Sequence, residues 1–185
     1  AISPRANLAA VSALTAAPQA WIADTDNQVL AIDASTPVVY IGGNFSFVSG
    51  LPRDFLAAID PNTAALTSWA PSANGTIRAL TPTCDRVYVG GFFTSVGGQA
   101  RNRIATLNLT DGQALAWDPS ANGPVFAVVP APGVVYIGGV LSLVGTTSRN
   151  RAAAVDPTTG AVTPWNPNSN GTVRSLAVDA ANVFL

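Results

Sequence analysis

One interval governs this chain. Tyr40, Tyr88, Tyr136 and Phe184 stand 48 residues apart, and Trp21, Trp69, Trp117 and Trp165 keep the same spacing. So do Arg5, Arg53, Arg101 and Arg149, the glycine pairs Gly42-Gly43, Gly90-Gly91 and Gly138-Gly139, and the dipeptides Asn74-Gly75, Asn122-Gly123 and Asn170-Gly171. No insertion or deletion breaks the register across 185 residues. A period of this length marks an array of supersecondary units, each too small to bury its apolar faces alone.

The second unit shows the pattern inside the period. Thr76 to Pro82 is followed after a tight turn by Arg86 to Gly91; a longer segment holding Val96, Gly97 and Gly98 then leads to Arg103 to Leu109. A turn at Thr110-Asp111-Gly112 precedes Gln113 to Trp117, and Asp118 to Gly123 passes to the next unit. Short apolar runs bounded by Gly, Pro, Asn and Asp read as strands and hairpins. The third unit turns at Asp156-Pro157-Thr158-Thr159-Gly160, where the glycine supplies the positive φ that ends such a turn. Composition agrees: all nine basic residues are Arg, all ten acidic residues are Asp, and Lys, Glu, His and Met are absent. The missing types are mostly helix formers, whereas the abundant Val, Thr, Gly and Pro favour strands and turns.

Four strands per unit at a period near 40 to 50 is the arithmetic of a propeller blade. The expected fold is therefore all-β, a β-propeller of 48-residue four-stranded blades. The blades span residues 28–70, 76–118 and 124–166, with a partial blade at 1–22 and another at 172–185. A parallel β-helix needs a much shorter period, an α-solenoid needs helical periodicity, and an immunoglobulin-like sandwich needs roughly 100 residues per domain. The two half-blades add up to one blade, so four could close a ring. A slice of a larger ring is favoured, because Leu185 lacks the Gly-Gly that follows the aligned Ile41, Val89 and Ile137. The chain opens in mid-pattern without an initiator Met and reads as a window on a longer protein.

VYIGG, an F-x-x-V segment, an Arg, LAAIDP, W-x-P and N-G-T-[VI]-R-x-L together resemble the delta-60-type propeller repeats of large secreted bacterial proteins. They are more distantly similar to kelch and quinoprotein-type blades. The resemblance spans essentially the whole chain and implies a blade and a secreted or cell-surface setting, not a ligand. The departure is in the first unit, where Ile22 to Asn27 stands in place of variants of A-P-S-A-N-G.

Charge narrows the function. The net charge of −1, with no basic cluster, lacks the electrostatic footprint of a nucleic-acid binder and the polybasic patch that attracts acidic membranes. No apolar run approaches the roughly 18 residues of a membrane helix, so no membrane insertion is expected. Without His, neither a Ser-His-Asp nor a Cys-His arrangement can be assembled from these residues. Asp60 and Asp156 could pair as acid and base, but each begins an Asp-Pro turn where its carboxylate bonds local backbone. The glycine pairs end strands and open no helix, so they are not phosphate loops. Asp24-Thr25-Asp26-Asn27 offers alternating oxygen ligands of the kind Ca²⁺ accepts, though a polar loop with Asx turns is the preferred reading. Cys84, the single cysteine, stands in a hairpin turn and reads as an incidental free thiol. No metal or cofactor is expected.

Two repeated sets remain as site candidates. Arg53, Arg101 and Arg149 lie in the long segment between second and third strands; Asn74, Asn122 and Asn170 lie in the inter-blade loops. Ordinary propeller topology brings both to one face, where they could recognise a carboxylate or a glycan. The competing reading, favoured by their regularity, is that each Arg bonds loop carbonyls of its own or an adjacent blade. On that reading each Asn holds a turn whose following Gly takes a positive φ. The Trp residues invite a lectin reading, yet a Trp at a fixed blade position is more often wedged against its neighbour with its N–H on backbone. Asn44, Asn74, Asn108 and Asn170 each begin an N-x-[ST] sequon. The expectation is a non-enzymatic scaffold or binding module of a secreted or cell-surface protein, engaging a protein or glycan partner in adhesion or assembly, with continuation into further blades or self-association open to it. A carbohydrate-binding propeller using Trp, Asn and Arg is the alternative; an extracellular enzyme whose catalytic site lies elsewhere in a longer chain is a third reading.

Overall fold

The computed structural model describes residues 5–185; positions 1–4 of the first expected half-blade lie outside them. The described residues form strands, turns and loops without a helix. The first full unit contains β1 (Val29–Asp33), β2 (Val39–Gly43), β3 (Phe47–Val48), β4 (Leu51–Pro52) and β5 (Leu56–Ile59). The second contains β6 (Ile77–Pro82), β7 (Val87–Gly91), β8 (Ser95–Val96), β9 (Gln99–Ala100) and β10 (Ile104–Leu107). The third contains β11 (Val125–Ala131), β12 (Val134–Gly139), β13 (Leu143–Val144), β14 (Thr147–Ser148) and β15 (Ala152–Val155). A last hairpin pairs β16 (Ala177–Val178) with β17 (Val183–Phe184).

Each unit is a three-stranded antiparallel sheet, ordered β1-β2-β5, β6-β7-β10 and β11-β12-β15. The expected fourth strand is reduced to one bridge per unit: Ile59 with Leu66, Leu107 with Ala114, and Val155 with Val162. The cause is a tertiary contact. In the second unit the outer segment still bonds through Asn108 N to Gln113 O and Leu115 N to Thr106 O, both 2.9 Å. Beyond that the carbonyl of Leu115 is taken by the guanidinium of Arg101, and the ladder stops.

The long segment after each middle strand also departs from a plain loop, because it folds into the short hairpins β3-β4, β8-β9 and β13-β14. Gly97 and Gly98 adopt φ of 55° and 77°, and Ser49 and Gly50 adopt 50° and 76°. Two successive positive values give the tight turn that such a hairpin needs. The preceding inter-unit linker adds one bridge to each hairpin, as in Ala73 with Val96 and Ala121 with Val144.

The core lies between units. Tyr40, Leu56 and Trp69 of the first pack with Ile77, Val87, Val89 and Leu107 of the second. Tyr88, Ile104 and Trp117 of the second pack in the same way with Val125, Val135, Ile137 and Val155 of the third. The glycine pairs follow from this packing. A Cβ on Gly90 would stand 2.8 Å from Val125 Cγ1 of the next unit, so only glycine lets the sheets approach. A Cβ on Gly91 would collide with the carbonyl oxygen of Thr76 on the adjoining strand. That contact lies at a β-bulge: the β6-β7 register slips between Ile77 and Ala79, and the β1-β2 and β11-β12 registers slip at the equivalent place.

Candidate functional site

The repeated Arg residues and, among the repeated Asn, Asn74 and Asn122 are engaged in bonds within the protein. Arg101 donates from Nη1 to Ala100 O at 2.8 Å and from Nη2 to Leu115 O at 2.7 Å. Arg149 repeats this with Ser148 O and Thr163 O, and Arg53 with Pro52 O and Thr67 O. A planar fork suits the task, since one side chain satisfies two carbonyls that no strand reaches. The fit is incomplete: the Nε atoms of Arg53, Arg101 and Arg149 are buried without a partner.

Asn74 and Asn122 clamp each linker to the hairpin that follows it. The Oδ1 of Asn74 accepts from the backbone N–H groups of Thr94 and Ser95, while its Nδ2 donates to Thr94 Oγ1. Asn122 does the same with Ser142 N, Leu143 N and Ser142 Oγ. Asn170 is exposed and makes no hydrogen bond among the described residues. The glycines that follow were expected at positive φ. Gly75 and Gly123 are not among the positive-φ residues. They are needed for space instead, since a Cβ on Gly75 would come within 3.0 Å of Phe92 O.

The divergent first linker keeps the same device with a carboxylate. Asp26 Oδ1 accepts from Ser46 N and Phe47 N, each at 2.9 Å. The Phe47 N–H foremost, with Ser46, holds the Asp26 carboxyl below the ordinary aspartate range. Asp24 Oδ1 accepts from Ala6 N, so both carboxylates of the Ca²⁺ candidate serve backbone amides. Among the described residues no three His, Cys, Asp or Glu side chains converge. Asp60 and Asp156 bond their own turns: Asp60 Oδ1 takes the N–H of Asn62 and Thr63, and Asp156 Oδ1 that of Thr158 and Thr159. Cys84 is exposed.

The Trp residues act between units. Trp69 and Trp117 are 2% and 3% exposed. Their Nε1 atoms donate 39 residues ahead, to Asn108 O and Asp156 O, both at 2.9 Å. Each ring meets a Tyr edge-on, Tyr40 with Trp69 at 4.9 Å and Tyr88 with Trp117 at 5.4 Å. Trp21 and Trp165 are half-buried.

Two features escaped the sequence. One is a row of polar pairs 18 residues apart: Ser72 Oγ to Asp54 Oδ2, Asn102 Nδ2 to Ser120 Oγ and Asn150 Nδ2 to Asn168 Oδ1. Beside the second pair lies a polar cleft of about 280 Å³ reaching Asn122. The period could have pointed to this row, because positions 54, 102 and 150 are all Asp or Asn. The other is a cavity of about 460 Å³ lined by β1, β6, β11 and the segment before β16.

No family model matches the chain, and no curated protein does. Solved structures do. The computationally designed Ika4 protein superposes with a TM-score of 0.57 at 15% identity, covering 85% of this chain and 84% of that one. The computationally designed Ika8 protein also gives 0.57, at 16% identity, over 86% of this chain and 43% of the other. The likeness is one of fold. This chain shares the all-β repeat architecture of those designed proteins and spans less than half the length of the second.

Proposed function

We propose that the chain is a run of blades of a delta-60-type β-propeller, serving as a non-enzymatic scaffold and binding module of a secreted or cell-surface protein in adhesion or assembly. The observation that carries the reading is the engagement of the repeated polar residues. Arg53, Arg101, Arg149, Asn74 and Asn122 each direct donors or acceptors into the protein, as expected of parts that fix the shape of a repeat. The propeller reading is supported by inter-unit cores and by four inner segments arranged around one cavity. The same unit geometry matches most of a shorter designed protein and under half of a longer one, which favours blades that also fit a larger ring. The secreted setting rests on the resemblance of the repeat motifs. A lectin site stacking sugars on Trp is disfavoured, because the faces of Trp69 and Trp117 are covered.

The test pairs folding with recognition. Arg101→Ala and Asn122→Ala should each lower the melting temperature by several degrees, and a glycan array probed with the parent chain should retain no glycan through this face. A glycan bound by the parent chain, and lost in either variant at an unchanged melting temperature, would make the loop face a recognition surface and overturn the scaffold reading.

A further inference from the structure

Against a background of strict repetition, one position in the sheets changes character from unit to unit. It is occupied by Leu30, Arg78, Phe126 and Arg174, at the constant interval of 48. Its neighbours hardly vary: the preceding residues are Val29, Ile77, Val125 and Val173, and the following ones are Ala31, Ala79, Ala127 and Ser175. In each complete unit this residue sits on the β-bulge, where the register slips past it and leaves it without a ladder partner. A bulge re-aims a side chain, and such devices gather near functional sites. Here all four variable residues line the same broad, open depression of about 460 Å³.

The cavity's chemistry is one-sided. It holds two guanidinium groups, those of Arg78 and Arg174, and no acidic residue. Neither makes a hydrogen bond or an ion pair among the described residues. Ion pairs such as Arg86 with Asp85 and Arg101 with Asp118 involve other arginines. Arg78 rests 5.4 Å from the centre of the Phe126 ring, a cation–π contact that leaves its donors free. The rest of the wall is mixed, with Leu30, Ile32, Leu80 and Val128 beside the polar Thr81 and Ser175. Arg is suited to forked recognition of planar oxyanions, and Phe126, which also packs against Phe92 at 5.8 Å, adds an aromatic ring to the wall.

We infer that this central cavity is a binding site for a small organic anion, an aromatic or similarly flat carboxylate. Arg78 and Arg174 hold the carboxylate, and Phe126 with Leu30 covers the body. The inference deepens the scaffold reading by giving the module a small-molecule ligand on its inner face, away from the loop face.

The probes are phthalate, benzoate and the neutral benzamide, titrated by calorimetry into the parent chain and into Arg78→Gln, Arg174→Gln, Phe126→Ala and a control, Arg86→Gln. Phthalate should bind at least tenfold more tightly than benzamide. Each Gln variant in the cavity should weaken it by about tenfold, as loss of a charge-assisted hydrogen bond does; Phe126→Ala should weaken it several-fold, and Arg86→Gln should change nothing. Should Arg78→Gln fail to fold, Arg78→Leu, carrying the residue of the first unit, takes its place. Phthalate binding no tighter than benzamide, or weakened equally by Arg86→Gln, would overturn the site. That failure, in a chain that still melts cooperatively, would leave the scaffold reading intact, since the scaffold is judged by the loop-face variants.

Discussion

Truncating the inter-unit tryptophans gives a graded series whose order follows from geometry. Trp117 is 3% exposed, donates its indole N–H to Asp156 O at 2.9 Å, and meets Tyr88 edge-on at an interplanar angle of 87°. Trp117→Ala removes a buried aromatic, leaves a void between the second and third units and orphans a carbonyl, a combination that costs about 3–5 kcal/mol. Trp117→Phe keeps most of the wedge and loses the donor, so about 1–2 kcal/mol is expected. Trp165 keeps the edge contact with Tyr136 at 5.1 Å but is only half-buried. Its indole N–H makes no hydrogen bond among the described residues. Trp165→Ala should therefore cost only about 1–2 kcal/mol, mostly lost burial. The assay is urea unfolding of the 185-residue chain followed by circular dichroism, which does not depend on the deleted fluorophore. With a slope of about 2 kcal/mol per molar urea, Trp117→Ala should lower the midpoint by roughly 1.5–2.5 M. Equal losses for Trp165→Ala and Trp117→Ala, or a loss under about 1 kcal/mol for the latter, would refute the argument that the indole ties each unit to the next.

Arg101→Ala should cost about 2 kcal/mol, seen as a fall of several degrees in a thermal melt, with Arg101→Lys recovering only part because an ammonium cannot span Ala100 O and Leu115 O together. Thr106→Val should raise stability by about 1 kcal/mol, since the Thr106 hydroxyl is fully buried and unpartnered while Ala58 and Ala154 fill the equivalent places; a neutral or negative change would mean that the hydroxyl has a partner. Backbone N–H groups, those of Thr63 and Thr159 foremost, hold the carboxyls of Asp60 and Asp156 below the usual range, and Asp26, Asp85 and Asp179 are lowered too. Folded values lying below unfolded ones contribute stability that is present above the unfolded value, near pH 4, and is lost as pH falls through the folded values. Urea midpoints should therefore decline below about pH 4 and stay level from about pH 5 to 7, where the absence of His leaves no side chain of ordinary pKa to titrate.

The strands, the wedged Trp and the bonded Arg were legible in the sequence because each follows from a short-range rule applied at a constant period. The β6 and β7 runs read as strands from their Val, Ile, Tyr and Gly alone, and they form within a residue of the expected bounds. The fourth strand was overestimated because composition reports that Gln113 to Trp117 can extend, not that Arg101 takes its carbonyl from 14 residues away. Gly75 was misassigned for a related reason: Asn-Gly suggests a left-handed turn, whereas here glycine answers to crowding from the Phe92 carbonyl. The hairpin at Gly97-Gly98 reads from the sequence only as a long segment between strands, since strands of two residues carry no periodicity. Arg78 and Arg174 carried no signal as long as the repeat was read only for what stays the same.

The bulge accounts for that last blindness and also gives it a use. At Gly90 the neighbouring unit's Val125 and Val128 crowd the backbone, at Gly91 the Thr76 carbonyl does, and at Trp69 and Trp117 the inter-unit gap needs an indole. Each of those positions is held to one residue type by contacts that the fold requires. The bulged residue is held by none of them: it has no ladder partner, it faces the cavity, and the three complete units accept Leu, Arg and Phe there on the same backbone. Its side chain is not fixed by the backbone geometry and sets much of the charge and aromatic character of this surface, although Arg78 and Phe126 also touch across two units. Substitution at Arg78, which makes no hydrogen bond among the described residues, should therefore disturb folding less than substitution at the repeated Arg, Asn, Gly or Trp positions, a difference that thermal melts of Arg78→Gln and Arg101→Ala would show.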